Sequence, residues 1–355
     1  MLRSLEKVIF RKITPWSIRY LHPPDYRKAG GLAREVFLQL ECEFQLVPPV
    51  TLHHANPILM AGVWSACRES LIAGSGERPV KEAVAATVSG LNTCPYCIEA
   101  HVSMLPQPFR RRVASAVRSG NYQPDAEPLL DRAVQWAAAT LTPGSRILSQ
   151  SPFSADDAPA VMATALFFHY INRMANVFLD KVMMPLLGRV PVISEAASGL
   201  FSTKIAGRIA SLDVAPGRYL TVRPEGRLPL ELRWAERDRF LSEGLLRFDA
   251  SIGDAAEESV DEDVRELVIS AVEAWNGEQP GFGDSRIDRA VSLLPDGRKA
   301  SAALALKVAL ASWTVDGRVI RAFRQYHDDD RALLNTAAWG AYLAAKRIAG
   351  WLQSP

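Results

Sequence analysis

Apolar residues recur every three or four positions along nearly the whole chain, a period that admits helices and little else. Alanine-rich stretches with this spacing cover 31–46, 57–73, 79–91, 94–105, 127–140, 156–179, 262–275, 299–312, 317–325 and 329–352. One-by-one alternation is confined to Arg218-Tyr219-Leu220-Thr221-Val222, the one place where a strand is expected. The expected fold class is all-α.

A chain of 355 residues is long for one core and suits two domains of roughly 150 to 200 residues. Between about 180 and 232 the helical pattern gives way to MMPLLGRVPVI and APGRYLTVRPEGRLPLE, rich in proline and glycine, so a connection is expected there. The division is 1–180, a connecting segment 181–232, and 233–355.

A weak internal repeat joins the halves. Val80–Asn92 lies over Val264–Asn276 with Val, Glu, Val, Val and Asn identical, and 155–179 is similar to 327–352. In the same register Glu278, Gly281 and Ser285 stand where the first half has Cys94, Cys97 and His101. The second copy is therefore expected to lack the first copy's chemistry.

Lys and Arg total 41 against 39 Asp and Glu, and the basic residues form no stripe, so nucleic acid is not an indicated partner. The N-terminal MLRSLEKVIFRKITPW carries charge every few residues and has no secretory apolar core. The longest apolar runs, such as AVMATALFFHYI at 160–171, fall short of the 18 or so residues a membrane span needs. A soluble, cytoplasmic protein without membrane contact is expected.

Only four cysteines occur, too few for a disulfide framework at this length. Cys42 and Cys67 read as small buried hydrophobes. Cys94 and Cys97 form a CxxC pair inside NTCPYCIEAH, with His101 four residues further on.

Asn92 or Thr93 can cap a helix starting at Cys94, and Pro95 is tolerated in a first turn whose N–H groups have no helical partners. Cys94, Cys97 and His101 then share one helix face. The helix N-terminus and a neighbouring histidine depress a thiol pKa, and the imidazole can accept the proton. Cys97, one turn from His101, is the better activated sulfur; Cys94 is expected to meet solvent or a partner thiol. Glu82, at the edge of the charge-free AVAATVSGL, could orient His101 or relay its proton, but from spacing alone it reads first as a solvated glutamate in a helix first turn.

Haem attachment requires a histidine directly after the second cysteine, where Ile98 stands. Zinc could use Cys94, Cys97, His101 and Glu82, but no second CxxC or HxxxH supplies the usual further ligand pair. CPYC is also found in glutaredoxins, which place it after a strand in an α/β fold, whereas helices precede it here. His169, Asn172 and Arg173 lie on an apolar helix and read as a hydrogen-bonded packing set ahead of a substrate role. His22, His53, His54 and His327 read as surface or loop residues.

Glu82, eleven residues, Cys94-Pro95-Tyr96-Cys97, three residues and His101 together resemble the E-x11-C-x2-C-x3-H signature of the alkylhydroperoxidase D group within the carboxymuconolactone decarboxylase-like family. FFHYINRMANVFL at 167–179 is similar to the family's following helix, which often ends in Asn-Arg. The resemblance covers about 30–180, and about 235–355 as a degenerate second copy, implying two helical-bundle domains of this type. It implies Cys97 as the peroxide-attacking thiolate, Cys94 as the resolving thiol, and Glu82 with His101 as the proton relay. No metal, haem or flavin is implied. The implied partners are a peroxide and a dithiol reductant such as a lipoyl- or thioredoxin-like protein, in a homo-oligomer. Tyr96 stands where well-known members have a histidine, which questions a secondary proton route and leaves the dithiol chemistry intact. The decarboxylase branch lacks the CxxC pair, so lactone decarboxylation is not expected. The rival expectation is a redox switch or thiol–disulfide exchange protein without peroxide turnover.

Overall fold

A computed structural model describes residues 11, 14–107, 109–121, 128–181, 207, 212–279 and 285–352, and its regular structure is helical throughout. The fold is all-α. In the first half the helices are α1 (Gly31–Glu43), α2 (Pro57–Cys67), α3 (Arg78–Leu91), α4 (Pro95–Met104), α5 (Phe109–Ser119), α6 (Pro128–Ala138) and α7 (Ala158–Phe178). The second half contributes α8 (Arg239–Ser259), α9 (Glu262–Glu273), α10 (Asp296–Ala311), α11 (Gly317–Arg324) and α12 (Asp330–Trp351). Short helical turns fill several of the connections.

The strand expected at Arg218–Val222 does not form. Its backbone groups go to helix side chains instead: Gln39 Nε2 donates to Arg218 O (2.9 Å) and Arg247 Nε to Thr221 O (3.1 Å). Next to it Gly217 adopts φ +81° and donates its N–H to Glu69 (3.1 Å). A segment paired sideways to helices in this way has no ladder to join.

The helical run expected over 57–73 changes pitch. α2 ends at Cys67 and continues as a π turn, Arg68–Ile72, which turns Arg68 and Glu69 into the interior. There Arg68 pairs with Glu69 and Glu43, each at 2.6 Å, and donates to Ala215 O.

Two helices were not expected. α5, FRRRVASAVRS, buries Phe109 and Val113 against Ala83 and Ala86 of α3 and Val134 of α6 in a satellite cluster. α8 begins at Asp238, whose side chain accepts from Leu241 N (3.0 Å). Two internal glycines weaken its propensity, and at one of them the reason is contact: a Cβ on Gly244 would stand 3.0 Å from Glu69 Cγ and 3.2 Å from Ser65 O.

α7 is the central element, buried along almost its full length. It lies between α3 of the first half and α12 of the second, and α8 packs on both α2 and α12. One hydrophobic core thus runs through both halves, from Trp64 and Phe168 to Phe248 and Phe323. An edge-to-face chain of rings crosses it, Tyr170 to Phe248 (4.9 Å) and Phe248 to Tyr342 (5.0 Å). Of the connecting segment expected at 181–232, positions 182–206 and 208–211 lie outside the described residues.

Candidate active site

Three elements assemble the site: α3 with the turn that follows it, α4, and the middle of α7. The turn from α3 to α4 takes its shape from Thr93 at φ +52°, a left-handed conformation that a β-branched residue rarely adopts. Cys94 is the N-cap of α4 and Pro95 opens the helix, so the helix starts one residue later than expected. Neither Asn92 nor Thr93 caps it. Asn92 instead terminates α3 and turns its amide into the core. Cys94 N donates back to Ser89 O and Ile98 N to Cys94 O, both at 3.0 Å, which locks the two sulfurs at the positive end of α4.

Glu82 is fully buried, which overturns the reading as a solvated first-turn glutamate. Its Oε1 accepts from Arg78 Nε and its Oε2 from His101 Nδ1, each at 2.6 Å. Burial works to raise the carboxyl pKa, and the Arg78 and His101 charges with their hydrogen bonds overcome it, leaving it at about 2. Glu82 is therefore ionised, and a carboxylate only accepts. When His101 is neutral its proton sits on Nδ1, toward Glu82, and the Nε2 lone pair is the one that can take another. Phe168 of α7 packs edge-on against the imidazole at 4.5 Å.

Cys94 and Cys97 are 1% and 2% exposed, so Cys94 does not meet solvent as expected. Burial pushes the Cys97 thiol well above its usual value, its hydrogen bond with Cys94 adds to this, and a hydrogen bond from Asn172 pulls it back. The expected depression by helix end and histidine is not found, because burial of the sulfur disfavours its charged form. Cys67 is buried as expected, and desolvation raises it to about 12, the profile of an unreactive thiol. Cys42 is exposed, contrary to expectation, since it sits on the outer face of α1.

His169, Asn172 and Arg173 prove to be wholly interior. With Asn92, Ser89 and Thr140 they form one hydrogen-bonded network. His169 accepts from Asn92 Nδ2 at Nδ1 (3.2 Å) and meets Thr140 Oγ1 at Nε2 (2.9 Å). Thr140 spends its own proton on Ala137 O (2.7 Å), so His169 is the donor there, and burial keeps it neutral. The network's signal in the sequence is the placing of polar residues at 169, 172, 173 and 176, all on one face of an otherwise apolar helix. His53 is also buried, bonded to Tyr170 OH (2.7 Å) and Val50 O (3.1 Å), and is not the surface or loop residue expected. Among the described residues no three His, Cys, Asp or Glu side chains converge as a metal-binding group, and no helix is long and apolar enough to cross a membrane.

No family model matches the chain. An alkyl hydroperoxide reductase of Mycobacterium tuberculosis strain H37Rv, Rv2159c, is 31% identical over 337 residues, 94% of this chain and 95% of that protein. This chain belongs to the alkylhydroperoxidase-like family. The match runs through both halves of this chain. Membership of this family supports a peroxidase-like oxidoreductase role.

Of the second-half counterparts, Gly281 lies outside the described residues. Glu278 offers its carbonyl to Trp275 Nε1 (2.8 Å), and Ser285 is the N-cap residue before the short helix Arg286–Ala290. Both are occupied in local turn structure.

Proposed function

We propose that the protein is a dithiol peroxidase that cycles through a Cys94–Cys97 disulfide. The observation that carries the reading is the 2.6 Å bond from His101 Nδ1 to the buried Glu82 carboxylate, one helical turn beyond the buried CxxC pair. In the proposed cycle His101 Nε2 accepts the Cys97 proton and Glu82 holds the resulting imidazolium by charge. The Cys97 thiolate attacks one peroxide oxygen, the S–O bond forms as O–O breaks, and the leaving alkoxide takes the proton from His101. The Cys94 thiol then attacks the sulfenic sulfur, S–S forms, and water leaves. Two thiols and a hydroperoxide become a disulfide, an alcohol and water, and an external dithiol of lipoyl or thioredoxin type restores the pair. The cycle needs no metal, haem or flavin and suits a reducing, cytoplasmic setting, in a homo-oligomer as in the resemblance. Residues 233–355 act in this reading as a degenerate copy that packs and does not react.

A second reading, a redox switch that oxidises without turnover, draws support from the burial of both sulfurs. Peroxide consumption by purified protein separates them. Repeated turnover with a dihydrolipoamide- or thioredoxin-like donor supports the peroxidase, and a single equivalent per chain supports the switch. Stoichiometric zinc in active protein would overturn both.

A further inference from the structure

Arg78 holds Glu82 by one nitrogen only. Its Nε donates to Glu82 Oε1 (2.6 Å), one turn further along α3, while its Nη1 and Nη2 are buried with no hydrogen-bond partner among the described residues. An arginine and a carboxylate commonly pair through two parallel N–H···O bonds, and a buried donor left unpaired is costly. A two-bond pair here would claim both Glu82 oxygens. The observed one leaves Oε2 to His101 Nδ1, also at 2.6 Å. Packing alone gives no reason to forgo the second bond.

Arg78 is also the permanent charge beside this carboxylate. In the relay His101 alternates between imidazolium and neutral imidazole, whereas a guanidinium keeps its proton throughout. Glu82 is fully buried, and burial drives a carboxylate to take up a proton unless charge opposes it. Lys81, the next cation on α3, cannot stand in, because its buried Nζ is committed to Gly74 O (2.8 Å). From the other elements, α4 brings His101 to Glu82 and the end of α2 brings the Cys67 thiol, which burial keeps uncharged. The π turn's Arg68 and Glu69 pair with each other and with Glu43. α7 supplies the Phe168 ring behind His101, and α5 and α6 meet α3 through an apolar cluster. When His101 is neutral, Arg78 is therefore the cation in contact with Glu82.

We propose that Arg78 is a positioning residue for the His101 relay: it holds Glu82 end-on, keeps it charged while His101 is neutral, and leaves its second oxygen on the imidazole. This rests on the Glu82–His101 relay proposed above, and it stands whether or not peroxide is the oxidant. Without the guanidinium the buried carboxyl takes up a proton, and a carboxylic acid cannot hold an imidazolium by charge. His101 then loses its hold on the Cys97 proton.

The test is the rate at which iodoacetamide alkylates Cys97 in the reduced full-length protein, read by mass spectrometry from neutral pH up to about pH 9, where a fully buried glutamate can still titrate. Arg78→Gln places an amide N–H where the arginine has its Nε, so it keeps the bond to Oε1 and loses the charge. It should slow alkylation about 10- to 100-fold at neutral pH, the effect of one lost interaction with a charged group. The deficit relative to the unaltered protein should close as pH rises and Glu82 ionises. In a Glu82→Gln background Arg78→Gln should have no further effect, because no carboxylate remains to be held. Arg78→Lys restores the cation and should stay within about threefold of the unaltered protein; a loss of about tenfold there would overturn the inference even if the glutamine variant does not fold. A merely structural role predicts a deficit that is constant with pH and adds to that of Glu82→Gln, and either result would overturn the inference. Arg78→Gln within about twofold of the unaltered protein, with Glu82→Gln slow, would overturn it and leave the relay standing. Slowed alkylation without peroxide turnover would overturn the peroxidase reading and leave this one standing.

Discussion

The two sulfurs of the CxxC pair differ by position and should fail differently. Cys97→Ser should abolish the first oxidation by peroxide. Cys94→Ser should react once and leave a sulfenic acid on Cys97 that a sulfenate-selective reagent traps. Mass spectrometry after one equivalent of peroxide checks both, and a trapped sulfenate on Cys94 in the Cys97→Ser protein would reverse the roles. Glu82→Gln keeps a hydrogen-bond acceptor and loses the charge that holds an imidazolium, so dithiol oxidation should slow by about 100- to 10,000-fold. Glu82 also has a signature in stability. Its folded pKa of about 2 lies below the usual 4.5, so its contribution is complete above about pH 4.5 and is lost as pH falls toward 2. Urea titrations should show the unaltered protein losing about 2 kcal/mol more than Glu82→Gln between about pH 5 and 3. Equal losses would mean the charge does nothing for the fold.

Among the elements, the amphipathic and alanine-rich helices were legible in the sequence because their period is a local property. α8 was not, because its glycines depress local propensity and the close contact that calls for Gly244 lies on residues of another segment. At the crossing of α2 and α8, a Cβ added to Gly62 would meet Ser251 Oγ at 2.1 Å and Arg247 O at 3.0 Å. Gly62→Ala should therefore lower stability by about 1 to 3 kcal/mol, despite alanine's better helix propensity, as read by urea or thermal melting. A stabilised variant would show that the two helices can part freely. The same logic explains the π turn after Cys67, whose Arg68 and Glu69 look like ordinary surface residues until the pairing with Glu43 and the 214–218 segment is seen.

At the scale of the whole molecule, α7 and α8 bury their faces against helices from the opposite half, so each half exposes core when alone. Residues 233–355 expressed by themselves should bind a hydrophobic dye, melt without cooperativity and reduce no peroxide. A sharp melt from that fragment would mean that its own core suffices. The sequence alone determined the helical class, from the period of its apolar residues, and the nearness of Cys94, Cys97 and His101 on one helix, from their spacing. Both are short-range properties. Tertiary structure alone decided that Glu82 is buried and paired, that Cys94 is closed off from water, that Cys42 is exposed, and that Asn92 looks inward. It also joined Arg173 to Asn172 through Asn92, which ends a different helix. Burial and hydrogen-bond direction depend on which surfaces meet across gaps of 80 residues or more in the chain, and no local pattern carries that information.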